Sequence, residues 1–491
     1  MRLKEILSFH PFANQFSALY DIEINAIKMD SREITNGDMF VCINGFTVDG
    51  HDYIEEAIEK GAIIVVAERN VEATVPVIVV EDTVRFLAMA ASCFYQYPTS
   101  KLSLIGVTGT NGKTTVTYLL ENIFKQCGKK TGVIGTIQMK IGEDVYPVDN
   151  TTPDALFLQR TIREMIDQEV EQVIMEVSSH ALDQGRVYGC DYNTAIFTNL
   201  TQDHLDYHDS MDDYLRAKSL LFAQLGNRYD CKAKKFAIIN QDDPASKKLI
   251  RSTAQSVITY GIDRDAMVMA KSITLTSTGT TFLLCTPDGD TMINSKLIGK
   301  FNVSNMLAAT AAALSNGIPL EVIKSALETI PGVNGRFELV PHSRSFSVIV
   351  DYAHTPDSLE NVLTTIQELA KGKVYVVVGC GGDRDRTKRP IMAKIALRYA
   401  DKAIFTSDNP RTEEPEMILH DMVNGLTPTD GHYQIIVDRR KAIHQAIHQA
   451  AKDDIILIAG KGHETYQQIG LVKYHFDDRE AAKEALLLKE N

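Results

Sequence analysis

Short apolar runs alternate with longer amphipathic stretches along most of this chain. The apolar runs are rich in β-branched residues and bounded by turn residues, which predicts buried strands. They are Ala62–Ala67, Val75–Val80, Leu102–Val107, Gln172–Val177, Val374–Val378 and Ile455–Ala459. Helices are predicted between them at Thr114–Gln126, Pro153–Glu169, Pro356–Ala370 and Arg439–Ala451. This alternation predicts an α/β fold with mostly parallel sheets.

The middle of the chain departs from this pattern. Apolar residues in Val268–Leu297 alternate with Thr, Ser and Gly, which predicts antiparallel strands at the edge of the central sheet. Turn residues at Tyr97–Lys101 and Pro331–Gly335 predict two domain boundaries. A chain of 491 residues is also longer than one hydrophobic core usually supports. We therefore expect three domains, covering residues 1–100, 101–335 and 336–491.

Composition narrows the class of protein. Hydrophobic residues make up 44% and charged residues 23% of the chain, which indicates a globular protein. The net charge of −13 argues against nucleic acid as a partner, because binding to phosphate backbones needs clustered Lys and Arg. No apolar run is long enough to cross a membrane, and the first residues lack a signal peptide, so we expect a cytoplasmic protein without membrane insertion.

The cysteines are widely spaced and include no C-x-x-C pair, which argues against a zinc or redox site. We expect buried thiols in a reducing compartment. The seven are Cys42, Cys93, Cys127, Cys190, Cys231, Cys285 and Cys380.

A glycine-containing segment directly follows the predicted strand that ends at Val107. Its residues are Gly109, Thr110, Asn111, Gly112, Lys113, Thr114 and Thr115. In such a P-loop, backbone amides approach phosphate oxygens, Lys113 supplies positive charge and Thr114 can bind Mg²⁺. The strict pattern needs glycine at position 107, so this loop is a shorter variant. A tight turn with a solvated lysine is the alternative, but the strand before the loop and the helix after it favour binding of ATP or GTP.

This short loop resembles the phosphate loop of the Mur ligases, which attach amino acids to the UDP-linked precursor of bacterial peptidoglycan. Further motifs occur in the family's order over essentially the whole chain. They are Glu176–His180, Asn199–Asp206, Ala217–Lys218, Phe301–Asn305, Gly335–Glu338 and Asp351–Pro356. The resemblance implies an N-terminal domain for the UDP-sugar, a central P-loop ATPase and a C-terminal Rossmann-like domain that holds the incoming amino acid.

The resemblance also implies the chemistry: ATP converts a carboxylate to an acyl phosphate, and an amine then displaces phosphate. The catalytic residues that it implies are Lys113, Glu176, His204, Lys218 and Arg336. The Mg²⁺ ligands would be Thr114, Glu176, His204 and Lys218, with Lys218 modified by CO₂ to a carbamate. The nucleotide would contact Asn302, Asn305, Arg336, Asp351 and His354 besides the loop. Taken alone, Glu176 could be an ion-pair partner, His204 a core or capping residue, and Lys218 a surface lysine.

Two further regions resemble the members of the family that add the third residue of the peptide. Ser31, in the motif Lys28–Arg32, would contact the uridine nucleotide. The motif Asp149–Pro153 and the residues after Glu176 would bind UDP-N-acetylmuramoyl-L-alanyl-D-glutamate. The residues implied for this substrate are Asn150, Thr151, Thr152, Ser178, Gln184 and Arg186.

The last third of the chain indicates the second substrate. Asp408, Asn409, Pro410 and Arg411 resemble the signature of Mur ligases that add meso-diaminopimelate, whereas lysine-adding members lack the arginine. Diaminopimelate carries a distal carboxylate that lysine lacks, and a guanidinium binds carboxylate through two hydrogen bonds. The resemblance adds Arg384, Gly460 and Glu464 to this site. Without it, these segments would be ordinary turns.

The alternatives are the lysine-adding ligase, folylpolyglutamate synthetase and a nucleotide-binding regulator without ligase activity. The first two would keep the phosphate loop but differ in the N-terminal region and at residues 408–411. The regulator would have no use for Glu176, His204 and Lys218. A composite site within one chain predicts a monomer.

Overall fold

The computed structural model describes residues 1–45, 48–148, 150–227, 229, 234–427 and 432–489. Asp149 of the predicted substrate motif and Cys231 lie outside these residues. Within them, three largely parallel sheets follow one another along the chain, and a two-stranded hairpin lies near the C-terminus.

The N-terminal sheet has the strand order β1-β2-β3-β4 with every described pair parallel. Its strands are β1 (Ile27–Lys28), β2 (Asp38–Val41), β3 (Ala62–Ala67) and β4 (Val77–Val79). The α-helices are α1 (Leu3–Ile6), α2 (Ile54–Glu59) and α3 (Thr83–Phe94), and 3₁₀ turns lie at Leu7–Phe9, Ala13–Leu19, Ser31–Glu33, Gly50–Tyr53 and Pro98–Ser100. Strand β4 is shorter than the predicted Val75–Val80 run, and Pro76 has no amide hydrogen to donate to a ladder.

The central sheet has the order β15-β14-β13-β12-β11-β10-β5-β9-β6-β7-β8 in the described chain. Its strands are β5 (Ser103–Thr108), β6 (Thr131–Ile134), β7 (Met139–Ile141), β8 (Asp144–Tyr146), β9 (Gln172–Glu176), β10 (Thr194–Phe197), β11 (Phe236–Asn240), β12 (Ser256–Gly261), β13 (Val268–Thr276), β14 (Gly279–Thr286) and β15 (Gly289–Ser295). The strands from β13 to β6 in this order are parallel, whereas β13, β14 and β15 pair antiparallel at one edge, as predicted.

Helices cover both faces of the central sheet. They are α4 (Lys113–Gln126), α5 (Ala155–Asp167), α6 (Ser179–Asp183), α7 (Met211–Ala223), α8 (Ser246–Ser252), α9 (Lys300–Ser315) and α10 (Leu320–Thr329). On one face, Leu120 of α4 and Met306 of α9 are fully buried with Val107 of β5. On the other, Leu158 of α5 and Phe222 of α7 are fully buried. Burial of each large apolar side chain stabilises the fold by about 1.5–3 kcal/mol, so the two cores fix the strand ends that carry the loops.

The C-terminal sheet has the order β16-β17-β21-β18-β19-β20, parallel except for β16. Its strands are β16 (Glu338–Leu339), β17 (Ser347–Asp351), β18 (Val374–Val378), β19 (Lys402–Phe405), β20 (Tyr433–Ile435) and β21 (Ile455–Ala459), and the hairpin is β22 (Tyr466–Ile469) with β23 (Val472–His475). The helices are α11 (Pro356–Leu369), α12 (Lys388–Tyr399), α13 (Pro415–Val423), α14 (Arg439–Gln449) and α15 (Asp478–Leu488). The predicted α/β class with a mostly parallel central sheet is confirmed.

Strand register places the functional loops side by side. Glu176 at the end of β9 pairs with Val107 of β5, and Phe197 at the end of β10 pairs with Thr108. The loops after these strands therefore meet at the carboxyl edge of the central sheet, where open α/β sheets bind ligands. In the C-terminal sheet, β18, β19 and β21 likewise end together.

Two simpler expectations have mixed outcomes. Among the described cysteines, Cys42, Cys93, Cys190 and Cys380 are buried, but the prediction is wrong for Cys127, which is exposed, and Cys285 is half-buried. No helix in the described residues combines the length and apolar character needed to cross a membrane. The domain boundaries at residues 100 and 335 stay a prediction.

Candidate active site

The phosphate loop depends on two glycines with positive φ angles. Gly109 (φ +149°) lies so close to the next strand that a Cβ there would stand 1.9 Å from Thr198 Oγ1. Gly112 (φ +88°) precedes α4, and a Cβ there would stand 2.3 Å from Asn305 Oδ1. The Asn111 amide donates to Asn199 Oδ1 at 2.8 Å. The segment after β10 therefore holds one side of the loop, and the other side faces the cleft between the central and C-terminal sheets.

Two lysines share one carbonyl oxygen of this loop. Lys113 Nζ donates to Gly109 O at 2.9 Å and to Thr110 O at 2.8 Å, and Lys218 Nζ donates to Gly109 O at 2.9 Å. Lys218 is 1% exposed and lies over the ring of Tyr214 at 4.2 Å. Burial, together with the nearby Lys113 charge, lowers the pKa of Lys218 well below its usual value. Lys218 is therefore not a surface lysine, which was the alternative interpretation, because its amine is enclosed in the site.

Glu176, at the end of β9, is held by hydroxyl and amide donors. It accepts from Thr114 Oγ1 at 3.1 Å, from the Thr136 amide at 2.9 Å and from Thr136 Oγ1 at 3.0 Å. Arg336 Nη2 reaches Thr114 Oγ1 at 3.1 Å from the far side of the cleft, and its guanidinium stacks over Tyr352 at 4.3 Å. This arrangement places a carboxylate, a hydroxyl and a guanidinium around the first turn of α4.

A second group of charged side chains joins the central and C-terminal sheets. Asp203 lies 3.4 Å from His204 Nε2, 3.4 Å from Lys388 Nζ and 3.9 Å from His354 Nε2. Burial would raise the pKa of Asp203, but the charges that His204 and His354 carry at acid pH, together with the Lys388 charge, lower it below its ordinary value. Burial lowers the pKa of His204 to about 3 and that of His354 to about 4, so both imidazoles are neutral near pH 7. A neutral imidazole is the form that binds a metal.

The remaining residues predicted to contact the nucleotide lie at the same cleft. Asn302 and Asn305 face each other on α9, with Asn305 Nδ2 donating to Asn302 Oδ1 at 3.3 Å. Asp351, at the end of β17, accepts from the Phe337 amide at 2.6 Å. Its burial raises the pKa of this carboxyl to about 6. His354 Nδ1 contacts Tyr352 O at 2.8 Å, which leaves Nε2 directed to Asp203.

These groups surround one cleft with a cavity volume of about 530 Å³. Predicted site residues that line it are Thr110, Asn111, Gly112, Lys113, Thr114, Thr115, Asn150, Thr151, Thr152, Glu176, Ser178, Arg186, His204, Asn305, Arg336, Asp351, His354 and Arg384. Gly109, Lys218 and Asn302 lie directly behind the lining. Ser31 lies apart from this lining, where its hydroxyl donates to Glu56 at 2.9 Å.

A hydrogen-bonded group around Glu176 includes four of the residues predicted for the UDP-linked dipeptide, which are Thr151, Thr152, Gln184 and Arg186. Thr151 Oγ1 lies 3.1 Å from Thr136 Oγ1, and Thr152 Oγ1 donates to Glu176 O at 2.9 Å. Arg186 donates to Thr152 O at 3.0 Å and to Gln184 Oε1 at 2.7 Å. The segment around residue 151 is thus connected to the carboxylate of Glu176.

A separate cluster lies at the carboxyl ends of β19 and β21. Asn409 Nδ2 donates to Glu464 Oε2 at 2.9 Å, and Lys461 Nζ donates to Glu464 Oε2 at 2.8 Å. A Cβ on Gly460 (φ +115°) would stand 2.6 Å from Asp408 Oδ2. The structure therefore brings Asp408, Asn409, Gly460 and Glu464 together, as predicted for one pocket.

Arg384 and Arg411 connect this cluster with the cleft. Arg384 is exposed and lines the cleft, and a Cβ on Gly381 would stand 3.8 Å from Arg384 Cγ and 2.9 Å from Arg411 Nη1. Arg411 has a φ of +53°, and its Nη1 donates to Gly382 O at 2.6 Å. A Cβ on Gly382 would stand 1.9 Å from Pro410 O, so the two loops interlock.

Several cleft residues were not predicted as site residues. Asp203 and His180 belong to motifs quoted for the family resemblance, so their positions next to His204 could have suggested them. Thr136 and Lys388 carried no such signal, because each reaches the site only through the tertiary fold. His180 stacks on Tyr207 with ring centroids 4.2 Å apart and lies 4.8 Å from the His204 ring.

Few side chains in the described part of the cleft are positioned to bind a metal ion. Among the described side chains, no group of three or more His, Cys, Asp and Glu residues is arranged to hold a metal. Thr114 Oγ1 and the Glu176 carboxylate instead form a hard oxygen pair next to the phosphate loop. Mg²⁺ keeps several water ligands and commonly takes one or two carboxylates plus substrate phosphates, so this pair fits it.

Comparison with known proteins decides the family. Models described as the Mur ligase family catalytic domain, the Mur ligase middle domain and the Mur ligase glutamate ligase domain match residues 23–95, 107–313 and 335–462. The UDP-N-acetylmuramoyl-L-alanyl-D-glutamate–2,6-diaminopimelate ligase of Oceanobacillus iheyensis is 60% identical over 491 residues, covering 100% of both chains. The chain belongs to the Mur ligase family. The resemblance inferred from the motifs is confirmed.

Further relatives agree with this assignment. The protein of the same name from Bacillus cereus is 57% identical over 464 residues, covering 94% of each chain. A solved structure titled as a UDP-N-acetylmuramoyl-L-alanyl-D-glutamate–2,6-diaminopimelate ligase has 33% identity and a TM-score of 0.71, covering 99% of both chains. This Mur ligase therefore shares sequence with these proteins over at least 94% of its length and shares its fold with the solved structure.

Proposed function

We propose that this Mur ligase joins meso-2,6-diaminopimelate to the D-glutamate of UDP-N-acetylmuramoyl-L-alanyl-D-glutamate, using ATP and Mg²⁺, in peptidoglycan synthesis. The observation that carries the choice of amino acid is the convergence of Arg384 and Arg411 next to Gly381. In the proposed reaction, both guanidiniums would bind the second carboxylate of the incoming amino acid. The names of the relatives at 60% and 57% identity support the same reaction.

The central part of the site aligns the carboxylate with ATP. Backbone amides of residues 110–115 and Lys113 would bind the β and γ phosphates, and Arg336 would stabilise the charge that develops on the transferred group. Thr114 and Glu176 would hold Mg²⁺, which neutralises phosphoryl oxygen charge when bound. Exclusion of bulk water from the cleft between the two sheets would protect an acyl phosphate from hydrolysis.

Lys218 is the residue proposed to carry a carbamate. Its buried amine has a lowered pKa, and the neutral amine is the form that adds to CO₂. The nitrogen forms a bond to the carbon of CO₂, the displaced π electrons move to oxygen and one proton leaves the nitrogen. The product is an anion beside Lys113, so the carbamate and the Lys113 ammonium form a pair of opposite charges. His204 would support the same position as a neutral imidazole.

Amino-acid selection is assigned to the C-terminal pocket. Asp408, Asn409 and Glu464 present oxygens suited to an ammonium group, while Arg384 and Arg411 present guanidiniums suited to carboxylate. Lysine lacks the second carboxylate, so it would lose the hydrogen bonds that Arg384 and Arg411 would make to diaminopimelate. Ser31 is proposed to contact the uridine nucleotide. We propose a cytoplasmic monomer, because ATP and a nucleotide sugar are its substrates and one chain supplies the whole site.

The test is incubation of the protein with ATP, Mg²⁺, the UDP-linked dipeptide and either meso-diaminopimelate or lysine. We expect phosphate release and tripeptide formation with diaminopimelate, at a far higher kcat/KM than with lysine. Preferential turnover of lysine would identify the lysine-adding reaction, and absence of phosphate release with both amino acids would defeat the proposal. Intact-mass measurement of protein kept under CO₂ tests for the carbamate, with Lys218→Arg as the control.

A further inference from the structure

Side chains adjacent to Arg384 and Arg411 tie their two loops together. Asp383, directly before Arg384, accepts from Thr412 Oγ1 at 2.7 Å and from the Thr412 amide at 3.2 Å. In return, the Asp383 amide donates to Glu413 Oε1 at 2.7 Å. Each loop therefore holds the other at a position next to its pocket arginine.

The hydrogen bonds between Asp383, Thr412 and Glu413 form a cross-link between the two loops, and Arg389 stabilises it. This arginine of α12 is 0% exposed, and it donates to Glu413 Oε1 at 2.7 Å and to Oε2 at 2.9 Å. It also donates to Gly381 O at 3.3 Å and to Asp421 Oδ2 at 2.8 Å. The hydrogen bond from Arg389 lowers the pKa of Glu413, which is therefore ionised near pH 7. A bidentate pair of this kind is strong and directional.

The backbone of both loops needs such support. Asp383 has a φ of +52° and Arg411 a φ of +53°, in the left-handed region that costs energy for residues other than glycine. A strained backbone conformation persists only where the surrounding contacts hold it in place. The cross-link supplies these contacts at the two positions that decide where the guanidiniums point.

We propose that Glu413, with Asp383 and Thr412, is a positioning element that sets the spacing of Arg384 and Arg411 and thereby the preference for an amino acid with a distal carboxylate. The three residues act through the arginines and need no contact with substrate. The inference rests on the proposed function for the identity of the amino acid. A small displacement of the loops would separate the two guanidiniums and lose the recognition of one carboxylate by both.

The chain offers a matched pair of variants, because Glu413 and Asp421 both bind Arg389 and have side chains that are 21% and 24% exposed. Glu413→Ala and Asp421→Ala each remove one carboxylate from the same guanidinium, but only Glu413 bonds the Asp383 amide beside Arg384, whereas Asp421 bonds the side chain of Arg386. We expect Glu413→Ala to raise KM for diaminopimelate about tenfold and to lower the ratio of kcat/KM for diaminopimelate over lysine, with KM for ATP unchanged. Asp421→Ala should change KM for diaminopimelate less than about twofold. Equal effects of the two variants would overturn the proposal.

Thr412 provides a second route that does not disturb the buried arginine. Thr412 is exposed, so Thr412→Val should fold. Valine lacks the hydroxyl that donates a hydrogen bond to Asp383, and Thr412→Ser should restore this hydrogen bond. We expect Thr412→Val to raise KM for diaminopimelate about threefold and Thr412→Ser to match the wild type. A threonine that only fills space would give equal results for valine and serine, or a worse one for serine, and this would contradict the proposal.

Hydrogen exchange separates the failure of this inference from the failure of the proposed function. Glu413→Ala should accelerate amide exchange in residues 381–384 and 409–413, and Asp421→Ala should not. This readout does not depend on which substrate the protein uses. If the wild type uses lysine, the proposed function fails, and the comparison of variants on KM for lysine still decides the cross-link. Unchanged exchange in Glu413→Ala would exclude the cross-link whatever the substrate.

Discussion

The phosphate loop and the amino-acid pocket of this Mur ligase are built in different ways. The phosphate loop is a contiguous segment whose backbone is fixed by two glycines and by residues 198–199 of the neighbouring strand end. The pocket is assembled from three separate segments, around Arg384, Arg411 and Glu464, and ion pairs between side chains hold them in place. ATP binding therefore depends on local backbone geometry, whereas the choice of amino acid depends on long-range contacts.

This difference separates the two functions energetically. A change in the phosphate loop should affect every amino acid equally, because the loop acts before the amine enters. A change in the pocket should affect one amino acid and leave ATP binding intact. The predictions that follow measure how far this separation holds.

Lys113→Ala should produce the largest effect. Lys113 is fixed inside the loop by two carbonyl oxygens, and in the proposed function it supplies its charge to the phosphates. Loss of one preorganised electrostatic contact lowers kcat by about 10²–10³-fold. We expect this loss with diaminopimelate and lysine alike, measured as phosphate release. Lys129→Ala, which removes a lysine that stands over Phe124, is the control and should retain activity.

Arg411→Ala should have a large but selective effect. The variant leaves the distal carboxylate of diaminopimelate with one guanidinium fewer, so kcat/KM for diaminopimelate should fall about 10²-fold while KM for ATP stays constant. Arg411→Lys should rescue little, because an ammonium lacks the planar fork. Arg386→Ala removes an exposed arginine that pairs with Asp421 and serves as the control. Unchanged kinetics for the amino acid in Arg411→Ala would reject the assigned pocket.

Thr136→Val should show an intermediate effect in the phosphate region. Thr136 donates its hydroxyl to Glu176, and valine has the same shape without the donor. We expect kcat to fall about tenfold and the Mg²⁺ concentration for half-maximal activity to rise, because the carboxylate is less firmly oriented. Thr136→Ser should restore both values. A serine variant as impaired as the valine variant would show that the methyl group, not the hydroxyl, matters.

Asp351→Asn should change how stability depends on pH. Burial raises the pKa of Asp351 from 3.8 to about 6, so the folded protein holds a proton in this interval that the unfolded chain releases. Stability of the wild type therefore falls as pH rises through this interval. Relative to the wild type, the free energy of unfolding of Asp351→Asn should rise by up to about 3 kcal/mol between about pH 4 and about pH 7. Urea unfolding at both pH values checks this, and a constant difference would contradict it.

Much of this architecture could be predicted from the residues. The apolar runs gave strands within two residues of their observed ends, and the alternation of strand and helix gave the parallel sheets. The contiguous loop at residues 109–115 predicted a phosphate site through its spacing, and the ordered motifs identified the family. Such features depend on local sequence, because backbone preferences and the spacing of motif residues can be recognised in consecutive residues.

Contacts between distant segments could not be predicted in the same way. Thr136 donates to Glu176, Lys388 pairs with Asp203, and Glu413 accepts from the Asp383 amide. The two residues of each pair are far apart in the sequence or lie on different loops. A lone threonine or glutamate carries no pattern, because polar residues of these types are common in turns and on surfaces. Their roles depend on how strand ends are arranged, and only the packed sheets determine that arrangement.

The sequence by itself determined the strand and helix pattern, the phosphate loop and membership of the Mur ligase family, because each is written in consecutive residues or in an ordered series of motifs. Only the tertiary structure decided that Lys218 is enclosed beside Lys113 and that Arg384 and Arg411 converge on Gly381. The physical reason is burial: the charge state of the lysine and the spacing of the guanidiniums depend on neighbours that folding brings from other strands.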